Sequence, residues 1–378
     1  MIFAIEAGPS EFAPVALLLV VAPLAMMVST GGVDQQLFRV MVHRPHSQVS
    51  LGTGVRVISV PILVSPLLAI CTGAVGYIFD YNVRLFATAG AAACLQALGL
   101  LIFASFLRAR TSSKGFLALY GGIAVTAFAA RLFSLYVLNL DTASAWIVGD
   151  IFNAAICLVL SFAWLAQLQR SGGIVLSFRT LLGFGFPMTI HGVFQWILGS
   201  SDRLVLGAIL GPAALGTYGA VYQFAGLFNV AASEINKTGL HRYAWNERTN
   251  VRDLIRADQR LLLKLWLCGI LPVLIALILL QRSGYQDAIL LGFVLYISFL
   301  PLVLYLPIAN VVTISEGSAR LMSVASGFGA VTNVAVNGSL AKAIGLYAGA
   351  VGNTVGYLVM ALCLAAFSKS RVKDKVVA

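Results

Sequence analysis

Arg131 stands in Phe128-Ala-Ala-Arg131-Leu-Phe-Ser134, in the outer third of an apolar run. A guanidinium there is costly, and an ionisable group kept inside such a run is a candidate for function: it can hold an anion by charge-assisted, bidentate hydrogen bonds. Two other readings compete with that one. The side chain can snorkel towards the headgroups, or it can pair with Asp150 and Asn153 on the next apolar run, which would make it structural. Arg56 and Lys264 lie nearer the ends of their runs, where they either snorkel or form a cationic entrance. His191, Gln195 and Asp202 are spaced four and seven residues apart and share one helix face. Such a face is a polar stripe on a cavity wall or a polar helix-helix contact, and His191 is also a candidate proton carrier. Tyr218 and Tyr222 are again four apart, with Gln223 beside the second. Their rings and hydroxyls suit sugar binding, or else belong to an interfacial aromatic belt. No nucleotide-binding loop, metal-ligand cluster or catalytic triad is present in the sequence, so the chemistry expected is binding and not catalysis, with no cofactor.

The elements that must hold these residues are transmembrane helices. Of the 378 residues 60% are hydrophobic and 10% are charged, and the mean hydropathy is +0.92. A soluble domain carries about 25% charged residues. Eleven apolar runs of helix-spanning length recur, at about 12–29, 55–79, 85–107, 115–138, 143–168, 180–200, 204–232, 260–280, 288–312, 321–341 and 346–367. The run at 321–341 is diluted by Ser, Asn and Gly. The five cysteines all fall inside these runs without metal-like spacing and read as packing residues.

The net charge of +11 is unevenly placed. Seventeen of the 25 Lys and Arg fall in alternate loops, at 30–54, 108–114, 169–179, 233–259, 313–320 and 368–378. The intervening loops hold four. This is the positive-inside pattern, so the excess orients the chain and no nucleic-acid partner is needed. It places the C-terminus, with Lys369, Arg371, Lys373 and Lys375, in the cytoplasm.

A repeat organises the runs. Ala7-Gly8-Pro9-Ser-Glu-Phe12-Ala13 resembles Leu210-Gly211-Pro212-Ala-Ala-Leu215-Gly216 at an offset of 203, and Leu37-Phe-Arg39 falls on Leu240-His-Arg242 in the same register. Two tandem halves follow, with a boundary in 169–179: an N-terminal helical lobe at 1–170 and a C-terminal one at 171–378. At this offset the run at 180–200 has no counterpart, so the first helix of the first half is expected to be missing. Restoring it gives parallel six-helix lobes around a central cavity. Asp202-Arg203 is expected as a solvated ion pair at a short outer turn. Gly211-Pro212 is expected as a kink within the following helix, with Gly216 and Gly219 allowing close approach or bending. These residues make up the expected helix-end and hinge set.

The segment Ser201-Asp202-Arg203-Leu-Val-Leu-Gly207-Ala-Ile-Leu-Gly211-Pro-Ala-Ala-Leu-Gly216-Thr-Tyr218 resembles a signature of the polysaccharide-transporter (Wzx-type) flippases. These belong to the multidrug/oligosaccharidyl-lipid/polysaccharide exporter superfamily. Gly8-Pro9-Ser-Glu-Phe12 and Gly32-Val-Asp34-Gln-Gln-Leu-Phe-Arg39 are similar to that family's first half. Asn333-Val-Ala-Val-Asn337 with Ile344-Gly345-Leu-Tyr-Ala-Gly349-Ala350 resembles its Asn-rich helix and the turn after it. The resemblance implies an all-α integral membrane protein of a bacterial inner membrane. It also implies translocation of an undecaprenyl-diphosphate-linked oligosaccharide by alternating access of two lobes, among membrane lipids and other polysaccharide assembly proteins. Arg131, Arg56 and Lys264 are then expected to meet the diphosphate, and His191, Gln195, Tyr218, Tyr222, Gln223, Asn333 and Asn337 to line the cavity. The alternatives are a cation-coupled small-molecule exporter of the same superfamily and a non-transporting membrane scaffold of the polysaccharide machinery. A membrane glycosyltransferase would need a large extramembrane domain, whereas the longest loop expected is about 27 residues, at 233–259.

Overall fold

A computed structural model describes residues 2–44, 48–109, 113–168, 173–239, 242–243, 251–315 and 319–377. Among them the chain is helical almost throughout, with no strand beyond an isolated bridge between Val49 and Ile174. The helices are α1 (Ile2–Ser29), α2 (Val33–His43), α3 (Leu51–Ile78), α4 (Val83–Ala97), α5 (Ala104–Ala109), α6 (Ser113–Tyr136), α7 (Thr142–Ala166) and α8 (Phe178–Leu210). After them come α9 (Pro212–Ala225), α10 (Leu227–Gly239), α11 (Val251–Arg282), α12 (Ala288–Ser298), α13 (Leu302–Asn310), α14 (Ala319–Ile344) and α15 (Tyr347–Val377). A π-helical turn, Leu98–Phe103, joins α4 to α5, and a second one, Val311–Ser315, follows α13.

Local chemistry sets the ends of these helices. Ser50 opens α3 by accepting the Thr53 N–H, Asn82 opens α4 by accepting those of Arg84 and Leu85, and Asp141 opens α7 by accepting those of Ala143 and Ser144. Each satisfies backbone donors that the first helical turn leaves without partners.

Nine helices or helix pairs among the described residues are long and apolar enough to cross a membrane. They coincide with nine of the eleven apolar runs. The run at 204–232 is divided between the end of α8, α9 and α10, because Gly211 and Gly226 interrupt it. The run at 321–341 is α14, whose Ser, Thr and Asn residues lower its hydropathy. Outward faces are apolar, as in Leu63, Leu67 and Ile70 of α3 or Leu267, Leu271 and Ile275 of α11, all exposed. In a bilayer such faces meet lipid.

The halves repeat in structure at the same offset of 203. α3 corresponds to α11, α6 to α14 and α7 to α15. Gly8 (φ 71°, ψ 173°) breaks α1, and Gly211 (φ 93°, ψ 176°) separates α8 from α9, so one left-handed Gly-Pro turn occurs twice. Residues 2–7 therefore match the last turns of α8. Pro212 sits at the first position of α9 and not inside a span. There its missing N–H costs nothing, and the kink expected within the helix is instead a helix boundary. Of the other repeat match, Leu240 and His241 lie outside the described residues, as do 169–172, where the 170/171 lobe boundary was expected.

Two compact units are present, one of Met1–Leu17 with Phe194–Ala378, the other of Leu18–Val193. In the Leu18–Val193 unit α3 packs on α4, and α4 and α6 pack on α7. Small residues bring these helices together: Gly90 lies against Thr72, Gly76 against Phe86, and Gly99 against Cys157. The segment at 173–177 runs across the start of α3. Thr53 Oγ1 donates to the Ile174 carbonyl and accepts the Leu176 N–H, each at 2.9 Å. In the other unit α14 and α15 are the most extensively packed pair, with Gly329 and Gly356 each against the other's carbonyl.

Gly216 on α9 faces the Pro9 carbonyl of α1 so closely that a Cβ would overlap it. Ala in place of a helical Gly gains about 1 kcal/mol of propensity, but overpacking against backbone costs about 1–3 kcal/mol. We expect Gly216→Ala to lower thermal stability, whereas Gly338→Ala, which has nothing within 4 Å of its Cβ position, should leave it equal or raised. Paired thermal melts in detergent check this. Equal melting of the two variants would mean that the α1–α9 contact is not close.

Candidate functional site

In the unit of Met1–Leu17 and Phe194–Ala378, α8, α9, α14 and α15 bring a set of polar side chains together in an apolar surround. Asp202 is at its centre and is wholly buried. Its Oδ1 accepts the Arg203 N–H at 2.8 Å. Its Oδ2 accepts the Tyr218 hydroxyl at 2.5 Å and the Asn353 Nδ2 at 3.2 Å. Asn353 Oδ1 in turn accepts from Asn333 Nδ2 at 3.1 Å. Asn333 Oδ1 accepts from Asn337 Nδ2 at 2.9 Å and from the Ser201 hydroxyl at 3.2 Å. Asn333, Asn337 and Asn353 have no exposed surface. The network thus ties four helices together through one carboxylate and three amides.

Arg203 supplies the compensating charge. Its guanidinium donates to the Gly199 carbonyl at 2.9 Å and to Ser200 Oγ at 3.1 Å, and lies 4.1 Å from the centre of the Tyr222 ring. The Tyr222 hydroxyl donates to the same Gly199 carbonyl at 2.6 Å. Nε of Arg203 is 3.8 Å from Asp202 Oδ1, too long for a hydrogen bond, and it is buried without another partner. Asn337 Oδ1 is likewise buried and unpaired. Below this group Gln195 Nε2 donates to the Tyr305 hydroxyl at 3.1 Å. Leaving buried polar atoms unpaired costs about 1–3 kcal/mol each, so this centre is satisfied only in part.

These positions differ from the sequence expectation in several ways. Asp202 and Arg203 are not at a solvated helix end: α8 continues unbroken to Leu210, and both are buried, at 0% and 4% exposure. The turn expected at Asp202 occurs at Gly211, whose positive φ ends the helix. Tyr218 is fully buried with its hydroxyl on Asp202, and Tyr222 is 8% exposed. Neither ring face is open for sugar stacking, nor is either residue in an interfacial belt. Gln223 is half-buried on α9, and Gln195 is half-buried on α8. His191 is half-buried and belongs to the Leu18–Val193 unit. The residues the sequence reading missed are Asn353, Ser201 and Tyr305. Asn353 had a signal, since it is a lone amide in the apolar run 346–367, just as Asn333 and Asn337 are the two amides of the run 321–341.

The cations expected to meet an anion are placed separately. Arg131 on α6 forms an ion pair with Asp150 on α7 at 2.6 Å, and its guanidinium lies 3.8 Å from the centre of the Trp146 ring. Gln96 donates to the Asp150 backbone carbonyl at 2.9 Å. The charge of Arg131 is thus already matched in this conformation. Asn153 is buried on α7, with its Oδ1 unpaired. Arg56 is half-buried and donates to the Leu176 carbonyl at 2.9 Å, which clamps the segment at 173–177. Lys264 is exposed on α11.

Removing one member of a buried pair leaves the other uncompensated and costs about 3 kcal/mol, whereas replacing both by apolar residues is often neutral. We therefore expect Arg131→Met to destabilise strongly and the double change Arg131→Met with Asp150→Leu to recover most of the loss. Comparing the melting of the three proteins tests this. A double variant as unstable as the single one would show that Arg131 is held by something other than Asp150.

Among the described residues no three His, Cys, Asp or Glu converge as a metal site would need. The described helices thus make up an all-α membrane protein built of repeated halves, with a polar network in the interior of one unit. Residues 7–242 match the sequence profile of the family described as "Polysaccharide biosynthesis protein", and the chain belongs to that family. No curated protein matches it significantly. Among solved structures it is similar to an inward-facing multidrug resistance MATE family transporter of the MOP superfamily, with 14% identity, a TM-score of 0.67, and 99% of this chain and 93% of the other covered. An outward-facing structure of a multidrug resistance MATE family transporter matches with 15% identity, a TM-score of 0.67, and coverage of 99% and 90%. A crystal structure of MATE in complex with MaD3S matches with 13% identity, a TM-score of 0.67, and coverage of 100% and 91%. The fold is therefore that of the MATE transporters.

Proposed function

We propose that this protein is a flippase that carries an undecaprenyl-diphosphate-linked oligosaccharide from the inner to the outer leaflet of a bacterial inner membrane, for a surface polysaccharide such as O-antigen or exopolysaccharide. Its C-terminus is cytoplasmic. The observation that carries this reading is the match of residues 7–242 to a polysaccharide biosynthesis family in a chain with a transporter fold. The substrate's lipid tail stays in the bilayer while the diphosphate and glycan pass between the lobes at 1–170 and 171–378 by alternating access. Arg131, Arg56 and Lys264 are the proposed diphosphate contacts, and Arg131 would have to exchange Asp150 for phosphate during the cycle. His191, Gln195 and Gln223 are proposed to line the path. Gly211, Pro212 and Gly216 form a proposed hinge, since the left-handed turn at Gly211 joins two rigid helices.

A second reading is a cation-coupled exporter of small molecules. The burial of Asp202 favours it, because a carboxylate held inside a span suits ion coupling. Expression in a strain lacking its own oligosaccharide flippase separates the two. The flippase reading expects surface polysaccharide to return. Unrestored polysaccharide together with new resistance to cationic drugs would favour the exporter.

A further inference from the structure

We propose a sugar-binding pocket at one end of the unit of Met1–Leu17 and Phe194–Ala378, selective for neutral or amino sugars over phosphorylated or acidic ones. It is a cavity of about 440 Å³, bounded by the α8–α9, α11–α12 and α14–α15 turns and by Pro9. Such a volume is in the range of small-molecule sites. Its polar side chains are Thr217, Gln286, Asp287 and Tyr347. Among the described residues that line it there is no Lys, Arg or His. A diphosphate or uronic acid would thus meet a carboxylate and no cation, whereas sugar hydroxyls find an acceptor, an amide and an aromatic ring.

Asp287 has a backbone reason to be noticed. It precedes α12 in a left-handed conformation (φ 56°), and although its carbonyl accepts the Leu291 N–H, its side chain makes no hydrogen bond to the helix start. Gln281 does that work, its side chain accepting the Ile289 N–H at 3.1 Å. An Asp before a helix usually accepts one of the first N–H groups, so here the carboxylate is released from capping and borders the cavity. Gly284 (φ 92°) and Gly345 (φ 61°) also line it, and neither has anything within 4 Å of its Cβ position. The peptide backbone is therefore open to close approach by a ligand. Asp287 is the one non-glycine residue among these three held at positive φ, and a sparsely populated conformation kept at a cavity is a pointer to binding.

The Lys and Arg distribution puts these three turns on the outer side, where the glycan emerges. That assignment of role rests on the flippase reading; the chemistry of the pocket does not.

The test uses the full chain in lipid nanodiscs and saturation-transfer NMR with chitobiose, cellobiose, cellobiouronic acid and pyrophosphate as probes. Signal from chitobiose or cellobiose is expected, and none from cellobiouronic acid or pyrophosphate. Tyr347→Ala and Asp287→Asn should each weaken the sugar signal about tenfold, the loss of one good contact. Tyr347→Phe, which keeps the ring, should retain most of it and guards against a folding artefact. Absence of transfer, equal signals in all variants, or preference for pyrophosphate would overturn the proposal. Restored surface polysaccharide without disaccharide binding removes the pocket and leaves the flippase reading standing; disaccharide binding without restored polysaccharide does the reverse.

Discussion

Asp202→Ala should be among the most damaging substitutions in this protein, lowering the melting temperature by roughly 10 °C at a fixed scan rate. The change removes the acceptor for Tyr218 and Asn353 and leaves the buried Arg203 guanidinium without a counter-charge. Breaking a buried charge pair from one side costs about 3–5 kcal/mol, and each kcal/mol moves the midpoint by about 2–4 °C for a unit of 150–250 residues. Asp202→Asn keeps the shape and one acceptor oxygen, so its loss should be smaller. Arg203→Met in the Asp202→Asn background should recover part of it, because no unmatched charge then remains. The comparison is by thermal melts of purified protein. If Asp202→Ala melts like the native chain, Asp202 is solvated as the sequence alone suggests, and the buried network is not formed.

Gly32→Ala should have an effect of similar size for a different reason. Gly32 precedes α2 with φ 73°, in the left-handed region, and its backbone lies against that of Gly185 on α8, so a Cβ would overlap main-chain atoms. The left-handed conformation costs an Ala about 1–2 kcal/mol, and overpacking against backbone that has no rotamer to change adds about 1–3 kcal/mol. Gly52→Ala is the control: Gly52 is exposed, near the start of α3, with nothing within 4 Å of its Cβ position. Yield of folded protein and melting should fall for Gly32→Ala and hold for Gly52→Ala. Equal behaviour would contradict the close crossing of Gly32 and Gly185.

What the sequence made legible follows from which signals are one-dimensional. Apolar runs are, and nine of them fall, among the described residues, on helices long and apolar enough to cross a membrane. The Gly8-Pro9 and Gly211-Pro212 repeat is also local, and the two turns share one backbone conformation. Where the turn falls was not legible. A charged Asp202-Arg203 pair in an apolar stretch reads as a loop, because hydropathy gives no credit for partners 16 and 151 residues away, and those partners are Tyr218 and Asn353. The same limit applies to Tyr218 and Tyr222: helical spacing puts both on one face, but only packing shows that this face is closed. The Arg131–Asp150 pair lay on neighbouring runs and was open to sequence reasoning as one of several alternatives. The clamp by Arg56 on the Leu176 carbonyl was not, since a backbone acceptor has no residue type to announce it.

The central claim is that the cargo is a lipid-linked oligosaccharide. The most direct measurement is translocation of undecaprenyl-diphosphate-linked oligosaccharide, scored by its accessibility to an external glycosidase, in liposomes containing the purified chain and in protein-free liposomes. The flippase reading predicts that the inner-leaflet pool becomes accessible only when the protein is present. An inner pool that stays protected, in liposomes that do transport a fluorescent small cation, would contradict it and make the exporter reading the correct one.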